Sequence, residues 1–176
     1  MISLLAERLS NSFSNNNKDS EYYYNLIYEI FTKQNVNFNF EGKHASYQEI
    51  IDGIKTVFLF DYNFAQDEYN YKLVVFKGTF PTTQLGTYAS VSVWQRCVSV
   101  LIDFIEKVLP RVVKFEAIWD GHKNNPKVRS EFYKKVIAFT FEKYKFLNES
   151  YDYKWKDDEE NNITYFKLTR KEQKNL

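Results

Sequence analysis

Two pairs of segments, each separated by a polar run, carry hydrophobic patterns typical of strands, and each pair predicts a β-hairpin. In the first pair, residues 54–64 and 70–80 are rich in β-branched and aromatic side chains and flank the polar stretch 65–69. In the second pair, residues 151–156 and 163–170 flank a polar run. Short strands separated by a few turn-forming residues are typical of antiparallel hairpins.

Between the two hairpins the hydrophobic period lengthens to between three and four residues, which indicates helices. One apolar stripe runs from Trp94 to Val108, and Pro110 ends it. Residues 112–119 are short and apolar, as a central parallel strand is. A second helical pattern covers residues 126–146.

Weaker patterns precede the first hairpin. Two segments within residues 1–34 each place apolar residues on one helical face, which predicts an N-terminal helical pair. Residues 35–40 alternate as a short strand does, and residues 46–53 are expected to form one or two helical turns that end at Gly53.

The order of these elements predicts one α/β domain over residues 1–176. Its expected parts are the N-terminal helical pair, an α/β core over residues 35–170, and a charged tail at residues 171–176. Strands and helices that alternate from residue 70 to residue 156 imply two crossover helices and a partly parallel, mixed sheet, closed by the C-terminal hairpin.

Charge and cysteine content exclude several kinds of site. The formal net charge of +1 argues against nucleic acid as the main partner, since a general electrostatic grip needs a concentrated basic surface. A single cysteine, Cys97, excludes an intrachain disulfide and a cysteine-based zinc cluster, and it favours a reducing, cytoplasmic location. His44 and His122 lack spaced partner residues, so no metal site is expected. No apolar run is long enough to span a membrane.

Residue usage indicates the type of genome. Asn, Lys, Tyr, Phe and Ile are frequent whereas Gly and Pro are rare, and the frequent residues have AT-rich codons. This bias is typical of a phage, a mobile element, a low-GC bacterium or a protist. Location in a host cytoplasm or in a virion is therefore expected.

The element order resembles the second half of the GNAT N-acyltransferase fold, in which two strands lead into a helix, a strand, a helix and a closing hairpin. The resemblance covers residues 54–169 as topology and about 112–146 as sequence, where the chain reads KFEAIWDGHKNNPKVRSEFYKK…EKYKF. Residues 92–146 also resemble small uncharacterised phage and mobile-element proteins. The GNAT resemblance implies an acetyl-CoA-dependent reaction, with Asn125 contacting the cofactor and Tyr133 protonating the leaving thiolate. Glu116 or Asp120 would then be the base. Tyr133 adjoins Phe132 on the predicted helix, so a core or half-buried tyrosine is the alternative.

The loop before the first of these helices departs from the family pattern. The family binds the cofactor pyrophosphate on backbone amides, with the signature Gln or Arg, two residues, Gly, one residue, then Gly or Ala. Here the loop reads TTQLGTYAS, and no alignment satisfies all three positions. The candidate cofactor contacts are Gln84, Gly86, Thr87, Tyr88 and Ala89, and Tyr88 would place a ring where the diphosphate lies.

The polar loop 120–125 permits two interpretations. Asp120 and His122 resemble a base and its partner, but Asp-Gly is also an ordinary turn signal. Asn125 and Pro126 suit the N-cap and first residue of the following helix. Arg129 is able to bind an anion there, or to form an ion pair between elements.

Three hypotheses follow for function. The first is a non-catalytic GNAT-like domain without a cofactor that binds a protein partner or forms a homo-oligomer. The second is an N-acyltransferase that uses acetyl-CoA with an atypical loop. The third is a single-stranded nucleic-acid binder, because Tyr151, Tyr153 and Trp155 alternate with lysines in the last hairpin, although a half-buried strand shows the same pattern.

Overall fold

A computed structural model describes residues 36–77, 80–82, 91–119 and 126–172. The strands are β1 (Asn39–Glu41), β2 (His44–Ile51), β3 (Ile54–Asn63), β4 (Glu68–Lys77), β5 (Phe80–Thr82), β6 (Val112–Ile118), β7 (Tyr151–Asp158) and β8 (Ile163–Arg170). The helices are α1 (Val91–Val108), α2 (Val128–Lys143) and α3 (Lys145–Ser150). The predicted α/β class is confirmed.

The strands of this part of the chain form one mixed sheet. Its order is β1-β2-β3-β4-β6-β8-β7, and β5 pairs with β4 beside that path. Neighbouring strands are antiparallel except β4 and β6, which are parallel. Helix α1 connects the two parallel strands, and α2 with α3 connects β6 to the edge strand β7, so both predicted crossover helices are present.

Both predicted hairpins are confirmed, and β2 is a correction. Strands β3 and β4 pair in register from Lys55 to Asn63, and β7 pairs with β8 along its whole length. Residues 46–53 were expected to be helical, but they belong to strand β2 and the turn after it. The turn residues Asp52 and Gly53 both have positive φ, at 51° and 78°, which is the geometry of a tight type I′ hairpin turn.

The second long helix begins and ends differently from the prediction. Its N-cap is Lys127, which makes no side-chain capping bond, so the predicted pair of Asn125 as N-cap and Pro126 as first residue is wrong. The helix ends at Lys143, because Tyr144 is extended with ψ 102° and a separate short helix follows. The predicted helical pair within residues 1–34 lies outside the described residues, as do residues 173–176 of the predicted tail.

The main core lies between one face of the sheet and helices α1 and α2. Phe60 of β3 stacks on Phe104 of α1 at 3.7 Å between ring centroids and on Tyr71 of β4 at 4.4 Å. Phe115 of β6 stacks on Phe166 of β8 at 4.6 Å. We call this the helix face of the sheet. Successive side chains of a strand alternate between faces, so the residues next to these project from the opposite face, which we call the second face.

A buried polar network fixes α2 to the C-terminal hairpin. The Thr164 hydroxyl donates to Asp157 Oδ1 at 2.7 Å and accepts from the Trp119 indole N–H at 2.9 Å. The Ser130 hydroxyl lies 2.5 Å from the Thr164 oxygen. Because a hydroxyl has one proton and that of Thr164 is used, Ser130 is the donor.

Candidate active site between diverging strands

The two parallel strands separate soon after they meet. Strand β4 pairs with β6 only at Tyr69 with Val113 and at Asn70 with Lys114. At its other end β4 pairs with β5 over Val75 to Lys77. Within the described residues, the stretch 71–74 therefore has no strand partner on the edge that faces β6. Backbone N–H and C=O groups on such an edge are available to an extended ligand that carries amides.

A cavity of about 720 Å³ occupies this gap. Its lining comes from both faces of the sheet, because the strands on either side are no longer hydrogen-bonded to each other. Tyr71 and Phe115 line it from the helix face, whereas Lys72 and Glu116 line it from the second face. A cavity of this size accepts a ligand as large as a cofactor.

Tyr133 joins the cavity to α1. It lies on α2 and is only 7% exposed, and its ring packs edge-on against Phe115 at 5.9 Å between centroids. Its hydroxyl lies near Cys97 and acts to lower the pKa of that thiol. The sequence offered Tyr133 as a core tyrosine or, if the GNAT resemblance holds, as a general acid. The structure buries it in the core and places it in the lining of the cleft.

A smaller cavity of about 40 Å³ lies beneath the first. It is lined by Cys97, Val98 and Leu101, and it shares five residues with the larger cavity: Tyr71, Leu73, Phe115, Glu116 and Tyr133. Burial raises the pKa of the Cys97 thiol to about 12, and the nearby Tyr133 hydroxyl opposes that increase. The thiol is therefore neutral, as is typical of a buried structural cysteine rather than a nucleophile.

Glu116 approaches the cleft from the opposite side. It is exposed on β6 and lies directly across from Tyr165 of β8 on the second face. Tyr133 and Glu116, two of the predicted catalytic residues, therefore line one cavity from opposite faces of the sheet. This arrangement suits a reaction in which one reactant enters from each face.

The other predicted site residues lie elsewhere or outside the described part. Asp120, Asn125 and His122 fall outside the described residues, as do Gln84, Gly86, Thr87, Tyr88 and Ala89. Arg129 is buried on α2, with its guanidinium 5.9 Å from the ring centroid of Trp94, and it also lines the larger cavity. His44 lies on β2, with its Nδ1 3.9 Å from Asp61.

The hairpin aromatic residues are distributed as in a half-buried strand. Tyr151 is 1% exposed and its hydroxyl donates to the Pro110 carbonyl at 2.8 Å, whereas Tyr153 packs on Phe141 at 4.8 Å. Trp155 alone of the three predicted stacking residues has a large exposure, 40%. The predicted platform of three aromatic rings is therefore wrong.

Sequence analysis missed Tyr71, Leu73 and Lys72 as cleft residues. Their strand was recognised, and ligands commonly bind where neighbouring strands of a mixed sheet separate. The point of separation depends on the short register between β4 and β6, which no local pattern encodes.

Comparison with known proteins returned no matching family model, no similar curated protein and no similar solved structure. No helix in the described ranges is long and apolar enough to cross a membrane.

Proposed function

We propose that the chain is a GNAT-like N-acyltransferase that takes an acyl-CoA thioester and an amine into the cleft between β4 and β6. The observation that carries the proposal is the convergence of Tyr133 and Glu116 on one cavity at the unpaired edge of β4. The strand order, with a single parallel pair at its centre, supports the GNAT-like assignment.

The unpaired edge of β4 suits the acyl donor. The pantetheine part of coenzyme A is extended and contains amides, so it is able to pair with the free edge of residues 71–74 as an added strand does. Its thioester would then lie near Tyr133 on the helix face. The loop residues Gln84, Gly86, Thr87, Tyr88 and Ala89, with Asn125, remain the predicted contacts for the rest of the cofactor.

The reaction uses the two faces separately. Glu116, or Asp120, accepts a proton from the amine, and the amine nitrogen forms a bond to the thioester carbonyl carbon. The carbon–sulfur bond breaks, and the departing thiolate takes the hydroxyl proton of Tyr133. The products are an amide and the free thiol of coenzyme A, so atoms and charges balance once Tyr133 recovers a proton.

Calorimetric titration with acetyl-CoA and with CoA tests the donor site. Saturable binding is expected, and Leu73→Trp should abolish it by filling the cleft, since Leu73 lines both cavities. Ile50→Trp is the control, because Ile50 is 74% exposed on β2 and does not line the cleft. Absence of binding heat with the native chain at high concentration would contradict the proposal.

Turnover with an amine panel tests the roles of the two residues. Tyr133→Phe should retain acetyl-CoA binding and lose turnover by about 100-fold or more, as is typical for loss of a general acid. Glu116→Gln should shift the pH profile of the rate. Turnover unchanged in Tyr133→Phe would show that the role assigned to this residue is wrong.

A second candidate is the non-catalytic protein-contact role, as a virion component or a host-interacting protein. It is favoured by two large hydrophobic side chains exposed near the start of β2: Phe40 at 50%, and Phe64 at 70%, whose ring centroid lies 6.3 Å from that of His44. Exposed apolar groups of this kind mark interfaces. A stable, stoichiometric oligomer in sedimentation velocity that dissociates in Phe64→Ser would support this role, and a monomer that binds acetyl-CoA would contradict it.

A further inference from the structure

Lysines occupy adjacent positions across three neighbouring strands on the second face of the sheet. Lys114 of β6 lies opposite Lys167 of β8, and Lys167 lies opposite Lys154 of β7. In the next row, Tyr165 lies between Glu116 and Lys156. Neighbouring strands are about 4.8 Å apart, so the lysine row spans about 10 Å.

The charges in this row are only partly compensated. The Lys114 ammonium is 2.7 Å from the buried carboxylate of Glu68. Lys154, Lys156 and Lys167 make no ion pair within the part of the chain that the structure describes. Like charges directly opposite each other destabilise a sheet, so an arrangement of this kind favours a ligand that supplies negative charge.

The same surface carries one exposed aromatic ring and opens on the large cavity. Tyr165 is 38% exposed and lies directly opposite Lys156, whereas Trp155 lies opposite Phe166 and therefore projects from the helix face. Lys154, Lys156, Lys167 and Tyr165 all line the cavity of about 720 Å³. Aromatic rings beside cations are the features with which proteins bind single-stranded nucleic acid, because bases stack on rings and phosphates pair with ammonium groups.

We propose that Lys154, Lys156 and Lys167, with Tyr165, form a binding surface for single-stranded nucleic acid. The phosphates contact the lysines and one base stacks on Tyr165. An acidic peptide fits less well, because arginine is the preferred partner of planar carboxylates and the cationic positions of both rows are lysines. The net charge of +1 restricts the contact to this local surface. This inference does not depend on acyl transfer.

Fluorescence anisotropy of a labelled uridine oligomer of about 10 nucleotides tests the surface on the full chain, without acyl-CoA. Saturable binding at low salt is expected. For three phosphate contacts to a single strand, the plot of log K against log salt should have a slope of about −2. The triple variant Lys154→Gln, Lys156→Gln, Lys167→Gln should weaken binding about tenfold or more and flatten this slope.

Control variants separate a local site from general charge. Lys43→Gln, Lys145→Gln, Lys171→Gln removes the same charge at positions away from the surface and should leave affinity nearly unchanged. Tyr165→Ala should weaken oligomer binding about fivefold or more through loss of stacking. Equal losses in the two triple variants, or no binding by the native chain at low salt, would overturn the proposal.

Two competitors identify the ligand. If poly-glutamate displaces the oligomer at equal concentration, the ligand is an acidic peptide rather than nucleic acid, and the assignment is overturned. A loss of CoA affinity in the surface triple variant as large as its loss of oligomer affinity would instead assign the lysines to the acyl donor and also overturn it. The expected result is weak competition by poly-glutamate and a loss of oligomer affinity that exceeds any loss of CoA affinity. If CoA binds neither the native chain nor the surface triple variant while the oligomer still binds the native chain, the acyltransferase proposal fails and the nucleic-acid proposal stands.

Discussion

The hydroxyl of Tyr71 donates a hydrogen bond of 2.9 Å to the backbone carbonyl of Cys97, and this bond joins β4 to α1 at the base of the cleft. Tyr71 is 7% exposed, and the bond is inaccessible to water. Tyr71→Phe should therefore lower the free energy of unfolding by about 1 kcal/mol. Tyr71→Ala also leaves a cavity and should lower it by about 3–5 kcal/mol.

Urea unfolding followed by tryptophan fluorescence measures both effects. Tyr165→Phe is the matched control, because the Tyr165 side chain is 38% exposed and its loss of a hydroxyl should change stability by less than about 0.5 kcal/mol. Equal effects of Tyr71→Phe and Tyr165→Phe would contradict the importance of the bond to Cys97.

Alkaline pH should destabilise the fold through buried tyrosines. Burial raises the pKa of Tyr151 from 10.0 to about 12, and burial also raises the pKa of Tyr71 well above its ordinary value. In the unfolded chain both titrate near their ordinary pKa of about 10. Between about pH 10 and 12 the native state thus binds more protons than the unfolded state, so stability is complete below pH 10 and falls as pH rises.

Unfolding free energies measured from pH 8 to pH 12 check this slope. Tyr151→Phe should be less stable at neutral pH, because the bond to the Pro110 carbonyl is lost, yet its stability should fall less steeply above pH 10. Parallel pH profiles for the native chain and the variant would contradict the assigned role of Tyr151.

Local sequence patterns predicted the elements in which the spacing of apolar residues matches the spacing of buried positions. Trp94, Leu101 and Ile105 on α1 are buried where the helical stripe placed them. The segment 46–53 was misassigned because its short apolar pattern suits both the helical period and the strand period. Its strand is fixed by pairing along β3 and by the ion pair of Glu49 with Arg96, 2.7 Å apart and 47 residues away in sequence.

Candidate site residues could be predicted from the sequence, but the cavity that they share could not. Tyr133 and Glu116 were candidates from the sequence, and their common cleft was expected only through a family resemblance. The cleft exists because β4 and β6 pair at two positions and then separate. Such a register arises from long-range packing, for example that of Phe104 between Phe60 and Tyr69, which periodicity cannot reveal.

The Cys97 thiol should react slowly with a disulfide reagent at pH 8. The side chain is 4% exposed and burial raises its pKa to about 12, so little thiolate forms and the reagent cannot reach it. Reaction should accelerate in urea as the chain unfolds. In the variant Cys97→Ser, Ser92→Cys, the exposed position 92 on the same helix should react at once. Rapid reaction of native Cys97 would show that the core opens at this point.

The ion pair of Lys134 with Asp157 should stabilise the junction of α2 and β7. The Lys134 ammonium donates 2.9 Å hydrogen bonds to Asp157 and to Glu131, and its side chain is 11% exposed. Asp157→Ala leaves this cation with one partner and also removes the acceptor of Thr164. The expected loss in unfolding free energy is about 2 kcal/mol.

Acid titration of stability separates the charge of Asp157 from its packing. Burial raises the pKa of Asp157, but hydrogen bonds from Lys134 and Thr164 outweigh that effect and lower it below the ordinary value. A lowered pKa gives stability that is present above the unfolded pKa of about 3.9 and is lost as pH falls through the native pKa. Asp157→Asn should therefore flatten the acid limb of the stability profile. Asp152→Asn is the control, because that carboxylate is 75% exposed beside Lys171, and it should leave the limb unchanged. An acid limb equally steep in Asp157→Asn and the native chain would mean that the carboxylate charge does not stabilise the fold.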